Sequence, residues 1–164
     1  MSGEKKKHNK RGLFVLLCIA AFLMSFIGSA IFKMSYTFLE LAAYTVDWSE
    51  EIGTVYTDLS YGDEEANKFD LYVPADDTKG TYGLVVYFHA GGFTTGDKSD
   101  DAEMLQWLCS KGYVAAGIHY TLRDDDHPDA SVYSQSMEIK SSISAVVEAA
   151  AELGCNLNAM AIGG

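Results

Sequence analysis

The chain has 164 residues, 48% of them apolar and 21% charged, with 15 Gly and 2 Pro. That is room for one domain, and the composition excludes a collagen, a low-complexity disordered chain and a small disulfide scaffold. The net charge of −11 is uneven: residues 1–11 carry five cations against Glu4, and the remainder carries seven Lys/Arg against 22 Asp/Glu, a balance of −15. So acidic a body argues against a nucleic-acid partner, since it would repel a phosphate backbone.

Residues 12–32, GLFVLLCIAAFLMSFIGSAIF, hold no charge. As a helix this run spans roughly 30 Å, the thickness of a bilayer's hydrocarbon core. It predicts a transmembrane signal-anchor behind a basic tail (residues 1–11) that stays cytoplasmic, with the rest of a single-pass protein outside the cell membrane. Gly28-Ser29-Ala30 puts small residues where a signal peptidase needs them, so secretion after cleavage near Ala30 is the alternative. In the following linker (33–52), Met34, Phe38, Leu41, Thr45 and Trp48 fall at helical spacing, which predicts an extended anchor helix or a juxtamembrane helix. Tyr36, Tyr44 and Trp48 suit either the membrane interface or packing against the domain. Cys109 and Cys155 are expected as free, buried thiols.

From residue 53 the pattern turns to strands and helices. Residues 54–61 and 68–73 alternate and are separated by Gly62-Asp63, which predicts an antiparallel pair. Leu84-Val85-Val86-Tyr87-Phe88 is a continuous apolar run, as in a strand buried on both faces. A helix is expected over 99–112, capped by Ser99 and ended by Gly112, then a buried strand over 113–118. A polar loop (121–130), a long helix from Ser131 to Leu153 and a last strand at 159–162 complete the series. This order gives an α/β fold with an antiparallel start and a largely parallel sheet.

The chemistry concentrates in His89-Ala90-Gly91-Gly92, directly after the buried strand. Glycine lets backbone amides approach a charged atom closely, so such a loop suits an oxyanion; an ordinary strand-to-loop turn would use two glycines as well. Neither GxxxxGK[ST] nor GxGxxG occurs, so a phosphate cradle of the usual kind is not expected. His119 and His127 read as structural or solvent-facing, and the run Asp124-Asp125-Asp126 as a solvated loop and not a metal site.

The segments VVYFHAGGFTTGDKS, LQWLCSKGYVAAGIHYTLRDDDHP and AMAIGG together resemble the α/β-hydrolase fold, and within it the hormone-sensitive-lipase-like and feruloyl-esterase-like carboxylesterases. The resemblance covers about residues 54–164 and makes 53–164 the N-terminal part of a hydrolase domain. It implies that Gly91 and Gly92 form the oxyanion hole, that His89 and Ala90 support the loop, and that Phe93 lines the substrate pocket or packs in the core. It implies a small ester as substrate, with neither cofactor nor metal. Ala90 stands where the family has a further glycine, and Thr121 where it usually has an arginine, which implies a missing ion pair. Gly164 would be the first glycine of the GxSxG elbow. The nucleophilic serine is therefore expected just after Gly164, with acid and base further on. On this reading the domain is truncated before its nucleophile elbow, and the 164 residues by themselves are expected to be inactive. A peptidase of the same fold and a non-catalytic binding or scaffold product remain the alternatives.

Overall fold

A computed structural model describes the backbone of residues 10–164, with the side chains of Lys10 and of residues 37–43 left aside. The basic tail therefore lies outside the described residues apart from Lys10 and Arg11, as do the side chains of Phe38 and Leu41 on the expected linker face. Contacts divide the chain after Ala43 into two units.

The first unit is one helix, α1 (Lys10–Ala43). Its stretch Arg11–Tyr36 has a mean hydropathy of 2.5 and buries none of its side chains within the protein. It is long and apolar enough to cross a membrane, a property that transmembrane spans and signal sequences share. Phe22 stacks on Phe26 and Phe32 on Tyr36, each pair one turn apart. The helix ends at Ala43, so the expected helical face does not continue to Thr45 and Trp48. Tyr44 instead meets Trp107 edge-on, and Trp48 meets Tyr72 in the same way. Of the two sites left open for these aromatics, Tyr44 and Trp48 take the domain.

The second unit holds five strands: β1 (Gly53–Ser60), β2 (Lys68–Pro74), β3 (Tyr82–Phe88), β4 (Val114–Ile118) and β5 (Leu157–Gly163). They form one sheet in the order β1-β2-β4-β3-β5. β1 and β2 pair antiparallel, as the alternation predicted, and β2 pairs antiparallel with β4. β3 lies between β4 and β5 and is parallel to both. Helix α2 (Ala102–Ser110) packs on one face, where Leu105 and Cys109 meet Tyr72 and Ala115. Helix α3 (Val132–Glu152) covers the other, where Val146 and Ala150 meet Phe69, Leu71, Val86, Val114, Ala116 and Ile118. Successive β4 residues thus point into opposite cores, which is why its apolar run shows no alternation. Cys109 and Cys155 belong to these separate cores and are free thiols, as expected. Burial pushes the Cys109 thiol up to about 12, so it stays protonated at neutral pH.

The start of the first domain helix differs from expectation. A 3-10 turn, Lys98–Asp101, precedes α2, and its cap is Asp97, whose carboxylate accepts from the Ser99 amide at 2.9 Å. Ser99 is thus the donor of the cap and not its acceptor. Ser131, expected as the first residue of the long helix, is instead the cap of α3: its hydroxyl accepts from the Ser134 amide while the Ser134 hydroxyl accepts from the Ser131 amide.

Leu105 is fully buried between α2 and the sheet. Leu105→Ala should therefore destabilise the domain by about 2–5 kcal/mol, read as a lower urea midpoint at unchanged m-value.

Candidate active site

The strand order puts the carboxyl end of β3 in the middle of the parallel part of the sheet. Tyr87 lies opposite Gly117 on one side and Gly163 on the other. The chain leaves that edge through His89-Ala90-Gly91-Gly92-Phe93 and returns through Gly96-Asp97-Lys98-Ser99 into α2. The end of β4 delivers His119, Tyr120 and Thr121 beside it.

Two peptide units of the loop are held by their carbonyl oxygens. The Ala90 carbonyl lies 3.0 Å from His89 Nδ1. The Gly91 carbonyl accepts from the amides of Thr94 and Thr95, at 3.3 and 3.2 Å, and from the Thr95 hydroxyl at 3.1 Å. A trans peptide unit is planar, with its N–H opposed to its C=O. Pinning these two carbonyls therefore aims the amides of Gly91 and Gly92 away from the turn. Neither amide meets an acceptor among the described residues. Gly91 has φ 136°, and a Cβ there would collide with the Thr95 carbonyl, so only glycine serves.

Phe93 has φ 69°, a left-handed conformation that costs a non-glycine residue about 1–2 kcal/mol. It is held by its carbonyl, which accepts from the Arg123 amide at 3.1 Å and from Gln135 Nε2 at 2.9 Å. Gln135 is buried on α3, and its Nε2 also donates to the Thr121 carbonyl at 2.9 Å. Phe93 is 37% exposed, and its ring tilts against Tyr120. It takes no buried core position and is not among the residues lining the 540 Å³ cavity beside His119.

His89 is buried and makes its contacts within the protein. Its ring stacks on Tyr120 at 4.5 Å and 3°, its carbonyl accepts from the Tyr120 hydroxyl, and its Nε2 lies 3.2 Å from His119 Nδ1. Gly96 passes so close that a Cβ would strike both His89 Nδ1 and the Ala90 carbonyl. Lys98 anchors the return segment to the sheet, 2.8 Å from Asp70 on β2 and 3.1 Å from Asp58 on β1. Burial pushes the Lys98 ammonium down, but its hydrogen bonds to Asp70 and Asp58 outweigh that and the net shift is upward.

At Thr121, the arginine position of the resemblance, the backbone amide donates to Glu138 Oε2 at 2.8 Å, and the same oxygen accepts from Asn67 Nδ2 at 2.9 Å. His127 is half exposed and binds Asp124 in its own loop, while His119 is structural. Sequence reasoning did not find the roles of His119, Tyr120, Lys98 and Gln135. The GDKS string was a signal for Lys98, but its partners lie 28 and 40 residues upstream.

The β1-β2-β4-β3-β5 sheet, with helices on both faces and the glycine loop at the end of β3, defines an esterase-like α/β-hydrolase fold. The chain belongs to the BD-FAE family, whose model matches residues 69–164. Among solved structures it is similar to Esterase B from Lactobacillus rhamnosis, at 21% identity and a TM-score of 0.57, with 87% of this chain and 45% of that one covered. It is also similar to a bacterial heroin esterase, at 19% identity and 0.56, covering 79% and 40%. A third, a thermophilic esterase from the planctomycete Thermogutta terrifontis, shares 25% identity at 0.54, covering 69% and 41%. The chain thus spans less than half the length of these structures. No curated protein matches it.

Burial pushes the His119 pKa below its ordinary value, against the opposing charge of Asp97 at 3.7 Å. The unfolded chain then binds the proton more tightly, so this residue contributes stability that is full above about pH 6.5 and is lost as the pH falls toward the lower folded value. Urea midpoints of the wild type should therefore drop more between pH 7.5 and 5.5 than those of His119→Asn, which does not titrate there.

Proposed function

We propose that these residues supply the oxyanion-stabilising part of a serine hydrolase that cleaves small carboxylic or carbohydrate-linked esters. The observation that carries this reading is the pair of pinned peptide units, which leaves the amides of Gly91 and Gly92 side by side in sequence and without acceptors among the described residues. Membership of the BD-FAE family and the esterase neighbours support it.

In this mechanism a serine hydroxyl attacks the ester carbonyl carbon. A base takes its proton, and the carbonyl oxygen becomes an oxyanion that accepts from both glycine amides. Collapse expels the alcohol, leaving an acyl-serine that water then hydrolyses through the same oxyanion. Each amide contributes about 3–4 kcal/mol to the transition state, because it is aimed before the charge develops. Residues 1–164 hold no serine in a GxSxG context. An elbow following β5, as the resemblance implies, would stand next to the glycine loop, since Gly163 pairs opposite Tyr87. Acid and base would come from the same later part of the whole enzyme. The ester and water are the only small molecules this chemistry needs.

A fluorophosphonate probe should label a serine of the natural gene product and leave residues 1–164 by themselves unlabelled; an unlabelled gene product would overturn the esterase reading. In the labelled enzyme, Gly91→Ala should lower kcat on a short-chain nitrophenyl ester by about 10²–10³ with a smaller change in KM.

We further propose that α1 anchors the enzyme in the membrane, with its basic N-terminus cytoplasmic and the hydrolase domain outside. The hydropathy of Arg11–Tyr36 and the five cations of residues 1–11 support this. Alkaline carbonate should leave the protein in the membrane pellet. Its release, with the mass of a chain cleaved after Ala30, would mean a signal peptide instead.

A further inference from the structure

His119 and His89 face each other through ring nitrogens at 3.2 Å, yet a contact between two imidazoles holds only if one nitrogen donates and the other accepts. The surroundings decide which. His89 Nδ1 lies 3.0 Å from the Ala90 carbonyl oxygen, which can only accept, so the proton of His89 is on Nδ1. A neutral imidazole has one N–H, so His89 Nε2 is a lone pair and His119 Nδ1 must be the donor. The reverse assignment fails twice. It would set the His89 Nδ1 lone pair against the Ala90 carbonyl, and the His119 Nδ1 lone pair toward the Asp97 carboxylate 3.7 Å away. A second proton on His89 Nε2 would force a lone pair onto His119 Nδ1 and turn that lone pair toward the Asp97 carboxylate, the same conflict again.

We propose that His119 is a positioning residue for the oxyanion loop: by donating Nδ1–H to His89 Nε2, it fixes the tautomer of His89 that holds the Ala90 carbonyl and so aims the Gly91 amide. The chain of causes runs from Asp97, which favours the proton on His119 Nδ1, through both rings to one peptide plane. Asp97 is itself held as a carboxylate: burial raises its pKa, but the hydrogen bonds from the Ser99 hydroxyl and amide and the charge of Lys98 bring it below the ordinary value. Tyr61 fixes the other end of His119 by donating its hydroxyl to the His119 carbonyl at 2.6 Å. The position therefore requires a side-chain donor, and bulk without a donor does not serve. As a statement about catalysis this rests on the esterase reading; as a statement about the loop it stands apart from it.

The test uses the full chain in detergent micelles, labelled with ¹⁵N at histidine, with long-range ¹H–¹⁵N spectra recorded at pH 7.5 and His89 and His119 assigned by substitution. In the wild type both rings should show a protonated Nδ1 and an unprotonated Nε2. His119→Leu should shift His89 away from the pure Nδ1–H form, and His119→Asn, whose amide still donates, should restore it. A wild-type His89 protonated on Nε2 would overturn the proposal without any variant. So would a Leu variant that leaves His89 unchanged, or an Asn variant that behaves like Leu. None of these readouts needs turnover, so an absence of serine labelling would sink the esterase reading and leave this one standing.

Discussion

The carbonyl of Ala90 and the amide of Gly91 share one planar peptide unit, and the orientation of the site follows from how that plane is held. An amide that must meet a transient charge cannot be fixed by a hydrogen bond of its own, because the bond would occupy it. The only grip left is the carbonyl on the other side of the plane. His89 takes that grip for the Gly91 amide, and the turn through Thr94 and Thr95 takes it for the Gly92 amide. The rest of the local structure holds these grips still. Tyr120 supports the face of the His89 ring, His119 occupies its far nitrogen, and Gly96 leaves room for the contact with Ala90.

Such a loop carries strain and needs anchors outside itself. Phe93 sits at positive φ without being glycine, and Asp58 does so at the register shift of β1. Each is fastened by a buried polar group: Gln135 on the Phe93 carbonyl, and the Asp70 carboxylate on the Asp58 amide at 2.9 Å. Lys98 then joins Asp58 and Asp70 to the segment that returns from the glycine loop, so the β1 irregularity and the loop share one ionic cluster. Within it the Lys98–Asp70 pair is largely buried, so removing either of those partners leaves the other charge unpaired, while Asp58 closes the cluster from the exposed side. The stabilising interactions of this site are therefore spread over β1, β2, the 3-10 turn and α3, although the proposed chemistry concerns two consecutive glycines.

Much of the fold was legible from residue type and period. The β1–β2 alternation, the uninterrupted apolar runs of β3 and β4, the long helix after the polar loop and the charge-free run inside α1 each state a local requirement that a local structure meets. The position of the glycine loop was legible as well, although two glycines directly after a buried strand suit an ordinary turn too, and the oxyanion reading came from the resemblance. Position 99 misled because Ser and Asp both cap helices, and the choice between Ser99 and Asp97 depends on where the chain enters the turn. The end of α1 was hidden for a related reason: helical spacing persists through Trp48, but Tyr44 and Trp48 gain more by packing on Trp107 and Tyr72 than by extending the helix.

The sequence by itself determined the order of elements, the apolar N-terminal helix, the strands buried on both faces, and the position of the glycine loop, because these depend on neighbours within a few residues. Only the tertiary structure decided that β3 lies between β4 and β5, that Lys98 reaches Asp58 and Asp70, that Gln135 holds Phe93, and that His119 meets His89. Those pairs are separated by 28 to 42 residues. No local propensity encodes such a meeting, and for His119 even the proton it must donate follows only once the carbonyl of Ala90 and the carboxylate of Asp97 stand around the two rings.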